Sequence, residues 1–187
     1  MRTETKKLFT VDDYYKMVDA GILTEDDRVE LIEGEIIQMS SMGSPHAAVI
    51  THVNDVFVPL FQGKALLRPQ LPLRLNEFNE PEPDIVLLEP RRDFYSSGHP
   101  GPADVFLVIE IADSSLRYDR GVKLPIYAAT RVPEVWIADL QGAELLVFRD
   151  PSRRRYTTHL KFRRGESVSC LAFPDIRIAV DDLLAGL

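Results

Sequence analysis

The residue that most strongly indicates chemistry is Glu110. This carboxylate follows an almost unbroken apolar run from Val105 to Ile109, which is typical of a central strand covered on both faces. Burying an unpaired carboxylate is costly, or it raises the pKa until the group becomes neutral. We therefore expect Glu110 to have a partner, either a cationic side chain or a metal ion.

A second carboxylate, Asp84, opens another apolar strand after a proline-rich approach that favours extended backbone. If the strands near 84–89 and 104–112 pair, Asp84 and Glu110 converge at one edge of the sheet. Two converging carboxylates form a hard oxygen site, which suits Mg²⁺ or Mn²⁺. Since Mg²⁺ completes its shell with water and substrate phosphates, the pair indicates phosphate-ester chemistry.

Lys123 is the third candidate. Asp119, Lys123 and Tyr127 follow i, i+4 spacing, so they share one face of a predicted helix. A lysine beside a metal-bound water can steady a hydroxide or the charge that grows on a phosphate. A second interpretation stays open, in which Lys123 only forms an ion pair with Asp119 on a surface helix.

The first elements that must position these residues are a helix and a pair of strands. The helix begins after Thr10, with Asp13 in the capping-box position, and ends at Gly21. Residues 29–39 predict two short strands that are hinged near Gly34.

A second helix and three strands follow. Ser44 as N-cap and Pro45 in the first turn mark the start of the helix, and Pro59 marks its end. Strands are predicted near 64–68, 71–75 and 84–89.

The second half of the chain contains the predicted central strand over 104–112 and a helix near 119–130, which Pro125 disturbs. It continues with a strand over 134–140, a hairpin over 143–149 and 155–162, and a short helix from about Val180. Helices interleaved with strands, followed by a run of strands, predict an α/β (α+β) fold: a central mixed sheet flanked by helices, with an extra C-terminal β-hairpin.

Composition indicates a single globular domain over residues 1–187. Hydrophobic residues make up 45% and charged residues 27%, with a net charge of −7, which excludes disorder as the main state. One cysteine, Cys170, excludes an internal disulfide framework and a Cys-based zinc site. The N-terminal residues lack an apolar signal region, and no stretch suits a membrane span. We expect a cytoplasmic protein.

Charge is uneven along this acidic chain. Residues 149–164 carry seven basic groups and one acidic group. Such a ribbon can contact a polyanion. It can equally be a solvated hairpin, and the segment alone does not separate the two.

Several motifs together resemble a known family. They are VELIEGEII at 29–37, Pro45-His46, Pro83-Asp84, EIADSSLRYDRGVKLPIYA at 110–128 and VPEVWIADL at 132–140. In these motifs the chain resembles the bacterial Uma-type "putative restriction endonucleases", a branch of the PD-(D/E)XK nuclease superfamily. The resemblance runs from about Phe9 to Leu140, and more loosely to the C-terminus.

The resemblance implies a restriction-endonuclease-like core in which Asp84 and Glu110 hold one Mg²⁺, with the backbone carbonyl of Ile111. In the superfamily pattern a lysine stands two residues after the second carboxylate, and this position is Ala112 here. The chain resembles variants in which the lysine has moved to the following helix, so the role passes to Lys123.

Two further catalytic candidates come from the same resemblance. The family's glutamate on an early element maps to Glu30, and its histidine at the start of the next helix maps to His46. Both have plainer interpretations, Glu30 as an exposed strand carboxylate and His46 as a polar group at a helix N-terminus. Tyr127 and Trp136 are expected in the core.

The leading hypothesis is a Mg²⁺-dependent endonuclease that hydrolyses DNA phosphodiester bonds, with Mn²⁺ able to substitute. Because cutting a duplex requires two sites, a homodimer is expected. Two alternatives stay open: a catalytically silent nucleic-acid-binding or regulatory module on the same fold, and a nuclease acting on RNA or smaller nucleotides.

Overall fold

The computed structural model describes residues 5–24 and 26–184. Its strands are β1 (Val29–Ile32), β2 (Glu35–Gln38), β3 (Leu66–Pro69), β4 (Ile85–Leu88), β5 (Val105–Ala112), β6 (Glu134–Asp139), β7 (Glu144–Ser152), β8 (Arg155–Arg163), β9 (Ser167–Val168) and β10 (Ile178–Ala179). Its α-helices are α1 (Val11–Asp19), α2 (Ser44–Phe61), α3 (Leu116–Tyr118), α4 (Leu124–Ala129) and α5 (Val180–Leu183). A 3₁₀ turn spans Pro102–Asp104, and a wide π-type turn spans Asp119–Lys123.

The centre of the fold is a six-stranded sheet in the order β3-β4-β5-β6-β7-β8. Strands β5 and β6 are parallel, and the other neighbours in this sheet are antiparallel. The mixed sheet is therefore confirmed, as is the C-terminal hairpin, which forms β7 and β8. The hairpin is longer than predicted because its ladder continues through Pro151, opposite Tyr156.

The two faces of this sheet carry separate hydrophobic clusters. On one face Phe57 of α2 packs in a cluster with Ile111 of β5. On the other face Val108 and Ala112 of β5 belong to the cluster that includes α4. Because side chains alternate along a strand, Glu110 lies on the same face as Val108 and Ala112, towards α4.

Helix α1 and the hairpin of β1 and β2 form as predicted. The hydroxyl of Thr10 accepts from the backbone N–H of Asp13, and the Asp13 carboxylate accepts from the N–H of Thr10. Gly34 lies in the hairpin turn with a φ of +76°, a conformation that favours glycine. The two strands pair with each other and stay outside the central sheet.

Helix α2 differs from the prediction at both ends. Gly43 is the N-cap, so the helix begins at Ser44, one residue earlier than an N-cap at Ser44 implies. The helix also continues past Pro59 to Phe61. Phe61 is buried against Phe57 and Phe173, and this packing offsets the one backbone hydrogen bond that Pro59 cannot donate.

The prediction of a strand over 71–75 is wrong. Residues 71–75 form no regular strand. The N–H of Leu73 donates to the carbonyl of Pro81, and the N–H of Leu75 donates to the carbonyl of Asn79, both in loops. Pro72 and Pro81 lack the N–H groups that a continuous ladder requires.

The helix predicted near 119–130 begins earlier, at Leu116, and contains the wide turn over Asp119–Lys123. The N–H of Leu124 donates to the carbonyl of Asp119, five residues back. Pro125 comes next and has no N–H, so it stands where the wide turn gives way to α4.

Within residues 5–24 and 26–184, no helix has the length and apolar character needed to cross a membrane.

Candidate active site

The pairing of β4 with β5 brings Asp84 and Glu110 together. Ile85 lies opposite Ile109 in the antiparallel register, which places both carboxylates at one edge of the sheet. The backbone N–H of Ile111 donates to Oδ2 of Asp84 at 2.8 Å, and the N–H of Asp84 lies 3.4 Å from Oε2 of Glu110. The rigid sheet backbone therefore fixes the separation of the two side chains.

Lys123 reaches this edge from the helix. Its Nζ lies 3.5 Å from Oε1 of Glu110 and 3.3 Å from Oε2 of Glu30, and its side chain is 8% exposed. The surface-helix interpretation of Lys123 is therefore wrong, since Lys123 is buried and pairs with these two carboxylates. Asp119 instead accepts a hydrogen bond from the hydroxyl of Ser115 at 2.6 Å.

Glu30 lies on β1 and is buried, not exposed. Besides Lys123, its carboxylate accepts from the backbone N–H of Glu82 at 3.2 Å and from the hydroxyl of Tyr118 at 3.4 Å. The hairpin of β1 and β2 thus contributes one carboxylate to the site, although it does not belong to the central sheet.

His46 lies in the first turn of α2. Its Nε2 lies 2.8 Å from Oδ1 of Asp84, and both side chains are largely buried. Burial alone lowers the pKa of His46, but the hydrogen bond and the charge of Asp84 outweigh it, so the pKa is raised. His46 therefore contacts a site carboxylate and is not merely a polar group at a helix terminus.

Burial has the largest effect on the pKa values of the site carboxylates, and the crowding of these carboxylates adds to it. Burial, followed by the negative charges of Asp119 and Asp84, raises the pKa of Glu110 to about 8, although Lys123 opposes the shift. Burial also raises the pKa of Asp119 to about 6, against the hydrogen bond from Ser115 and the charge of Lys123. For Lys123, burial lowers the pKa, but Glu110 and Glu30 raise it above its usual value.

The site opens into a cleft of about 410 Å³ between the sheet edge, the start of α2 and the α3 region. The lining carboxylates are Glu30, Glu82, Asp84, Glu110, Asp113 and Asp119. The lining basic side chains are Arg28, His46 and Lys123. The cleft therefore carries an excess of negative charge.

This donor set fits a divalent cation. Asp84 and Glu110 supply hard oxygen ligands. An ion between them would relieve their like-charge repulsion, which adds to the effect of burial on the pKa of Glu110. Among residues 5–24 and 26–184, no group of three or more His, Cys, Asp or Glu side chains has the geometry to hold a metal ion. The predicted pair has two carboxylates and leaves room for water and phosphate oxygens.

Tyr127 makes a contact within this site that sequence reasoning missed. Tyr127 is completely buried, as expected of a core residue, but its hydroxyl donates to Oε1 of Glu110 at 2.6 Å. Burial and the charge of Glu110 raise the pKa of Tyr127 well above its usual value. The i, i+4 spacing between Lys123 and Tyr127 could have indicated this contact, because it places both side chains on the same helix face. Trp136 is also in the core, where its Nε1 donates to Glu134.

Four of the basic residues of the ribbon over 149–164 have carboxylate partners. Arg149 pairs with Glu134, Arg154 with Glu33, Lys161 with Glu144 and Arg164 with Asp181. The tip of the hairpin, Arg153 to Arg155, is exposed. These contacts make the hairpin partly a structural element.

Comparisons with known proteins agree with this architecture. Residues 11–181 match the Uma2 family, described as "Putative restriction endonuclease". The chain is also similar to the crystal structure of "a putative nuclease belonging to DUF820" from Anabaena variabilis. The TM-score is 0.70 at 18% identity, over 94% of this chain and 97% of that chain. Among curated proteins, none shows significant similarity. The predicted family resemblance and the predicted nuclease-like fold are confirmed.

Proposed function

The chain belongs to the Uma2 family, and on that premise we propose that it is a metal-dependent endonuclease that hydrolyses phosphodiester bonds in DNA. One observation carries the proposal: the carboxylates of Asp84 and Glu110 converge at an open cleft, with the buried ammonium of Lys123 3.5 Å from Glu110. The family description, which names restriction endonucleases, supports DNA as the substrate.

Asp84 and Glu110 would hold the metal ion, with the backbone carbonyl of Ile111. When bound, the ion supplies Lewis-acid help to the phosphate ester and a template for the substrate. Mg²⁺ is the expected ion, and Mn²⁺ is expected to substitute. A cleft with this excess of carboxylates repels phosphate unless a cation compensates it, which supports metal dependence.

The surrounding side chains have distinct roles in the proposal. Lys123 donates to the attacking water or to a phosphate oxygen and steadies the negative charge that develops there. Glu30 accepts from Lys123 and holds its ammonium at the cleft. His46 holds Asp84 through Oδ1 while the N–H of Ile111 holds Oδ2.

The negative net charge of the protein limits which of its surfaces can bind DNA. At −7, the protein as a whole repels a polyanion, so affinity must come from local basic groups. Cleavage of both strands of a duplex requires two sites, and we propose that the chain acts as a homodimer.

The test is hydrolysis by the purified protein. A large random pool of labelled DNA is incubated with Mg²⁺ or Mn²⁺, and the Asp84→Asn variant is the matched control. We expect nicked or cut DNA with the wild type, none after addition of EDTA, and none with the variant. Absence of DNA and RNA cleavage with both metals would instead favour a silent nucleic-acid-binding module, and cleavage of RNA alone would assign a ribonuclease.

A further inference from the structure

Tyr127 places its hydroxyl against one oxygen of Glu110 inside the protein. The residue is 0% exposed, and its O–H donates to Oε1 of Glu110 at 2.6 Å. We infer that Tyr127 is a positioning residue, whose hydroxyl fixes the Glu110 carboxylate so that Oε2 is left to bind the metal ion. The inference rests on the proposed function, because it assigns different partners to the two Glu110 oxygens within that same site.

The two oxygens of Glu110 have unequal surroundings. Oε1 accepts from Tyr127 and also lies 3.5 Å from Nζ of Lys123. Oε2 has a long contact, 3.4 Å, with the backbone N–H of Asp84. Oε1 is thus occupied by protein donors, whereas Oε2 lies beside the backbone of Asp84, the other predicted metal ligand.

Packing alone does not require the hydroxyl. The ring of Tyr127 belongs to the hydrophobic cluster between the sheet and α4, where phenylalanine would fill nearly the same volume. A buried hydroxyl needs an acceptor, and here that acceptor is the candidate metal ligand. Outer hydrogen-bond partners of this kind orient ligating carboxylates and tune metal affinity.

The chain offers a matched control in Tyr156. This tyrosine is 2% exposed and belongs to the same hydrophobic cluster as Tyr127. Its hydroxyl donates to the backbone carbonyl of Val132 at 2.8 Å. Tyr156→Phe therefore removes the same atom from the same cluster without touching Glu110.

The experiment is calorimetric titration of Mn²⁺ into the wild type, Tyr127→Phe and Tyr156→Phe, without nucleic acid. We expect Kd to rise about 10- to 100-fold in Tyr127→Phe and to stay at the wild-type value in Tyr156→Phe. A wild-type Kd in Tyr127→Phe would overturn the inference and leave the proposed function standing. Failure of the wild type itself to bind Mn²⁺ would overturn both.

A second measurement does not depend on the folding of the variant. In a manganese-soaked crystal of the wild type, the ion should bind Oε2 of Glu110 while the Tyr127 hydroxyl remains on Oε1. An ion bound to Oε1, with the Tyr127 hydroxyl displaced, would overturn the inference.

Discussion

Nζ of Lys123 lies 3.5 Å from Oε1 of Glu110, in the interior of the protein. The same nitrogen lies 3.3 Å from Oε2 of Glu30, so one ammonium forms ion pairs with two buried carboxylates. A buried charge persists only when it is paired, and this pairing fixes where the lysine can act. Lys123 is therefore held as a cationic donor at the cleft.

Replacing Lys123 by Met keeps most of the side-chain volume and removes the charge. We expect DNA cleavage to fall by about 10²- to 10³-fold, the usual cost of removing a transition-state donor, while Mn²⁺ affinity is largely kept. Single-turnover cleavage assays and calorimetry measure the two quantities. Lys161→Met, at the exposed lysine that pairs with Glu144, is the control. Wild-type rates in Lys123→Met would remove Lys123 from the mechanism.

Glu30 is expected to act through Lys123. Glu30→Gln keeps the shape of the side chain but removes the charge that holds the ammonium, so we expect cleavage to fall about 10- to 100-fold with Mn²⁺ affinity nearly unchanged. Glu33→Gln, in the turn of the same hairpin and paired with exposed Arg154, should retain full activity. If the two variants cleave equally well, Glu30 has no role beyond the fold.

The exposed hairpin tip is expected to contact the DNA backbone. Each arginine that touches a phosphate contributes about 0.9 to the slope of log binding constant against log salt concentration. We expect replacement of Arg153, Arg154 and Arg155 by Ala to lower this slope by at least about 1, as measured by fluorescence anisotropy. The control replaces three other exposed basic residues by Ala and so removes the same charge outside the hairpin tip: Lys7, Lys16 and Arg177. If the triple Ala variant at the tip has the wild-type slope, the ribbon is a solvated hairpin that does not contact DNA.

Arg149 is expected to stabilise the fold. It pairs at 2.7 Å with the completely buried Glu134, which also accepts from the backbone N–H of Leu171. Arg149→Met leaves this buried carboxylate without its cationic partner, so we expect the free energy of unfolding in urea to drop by about 3–5 kcal/mol.

The control for this stability prediction is Arg154→Met, which breaks the exposed pair with Glu33. Surface pairs contribute about 0–1 kcal/mol. An equal decrease in the free energy of unfolding in the two variants would show that the buried Arg149–Glu134 pair stabilises the fold no more than the exposed pair does.

The sequence predicted what depends on local pattern. Glu110 stood out because a carboxylate interrupts an apolar strand, and pairing of two predicted strands was enough to bring Asp84 beside it. The wide turn at Asp119–Lys123 was not predictable from i, i+4 periodicity, because that periodicity assumes a regular helix. The burial of Lys123 depends on Glu30 from a distant hairpin, a relation that spacing cannot reveal.

Long-range pairing also limited the interpretation of the basic ribbon. Its charge count is a property of the segment, whereas its partners Glu134, Glu33 and Asp181 lie elsewhere in the chain. Likewise, a tyrosine in this predicted helix is expected in the core, which is correct for Tyr127. Where its hydroxyl points depends on the strand beneath it.

The claim that Asp84 and Glu110 share one divalent ion is tested most directly by anomalous diffraction from manganese-soaked crystals. The control is the double variant Asp84→Asn Glu110→Gln, which keeps the shape of both side chains. We predict an anomalous peak between the two carboxylates in the wild type and no peak there in the variant. A wild-type crystal with manganese bound only elsewhere, or a peak that persists in the double variant, would refute the proposed site.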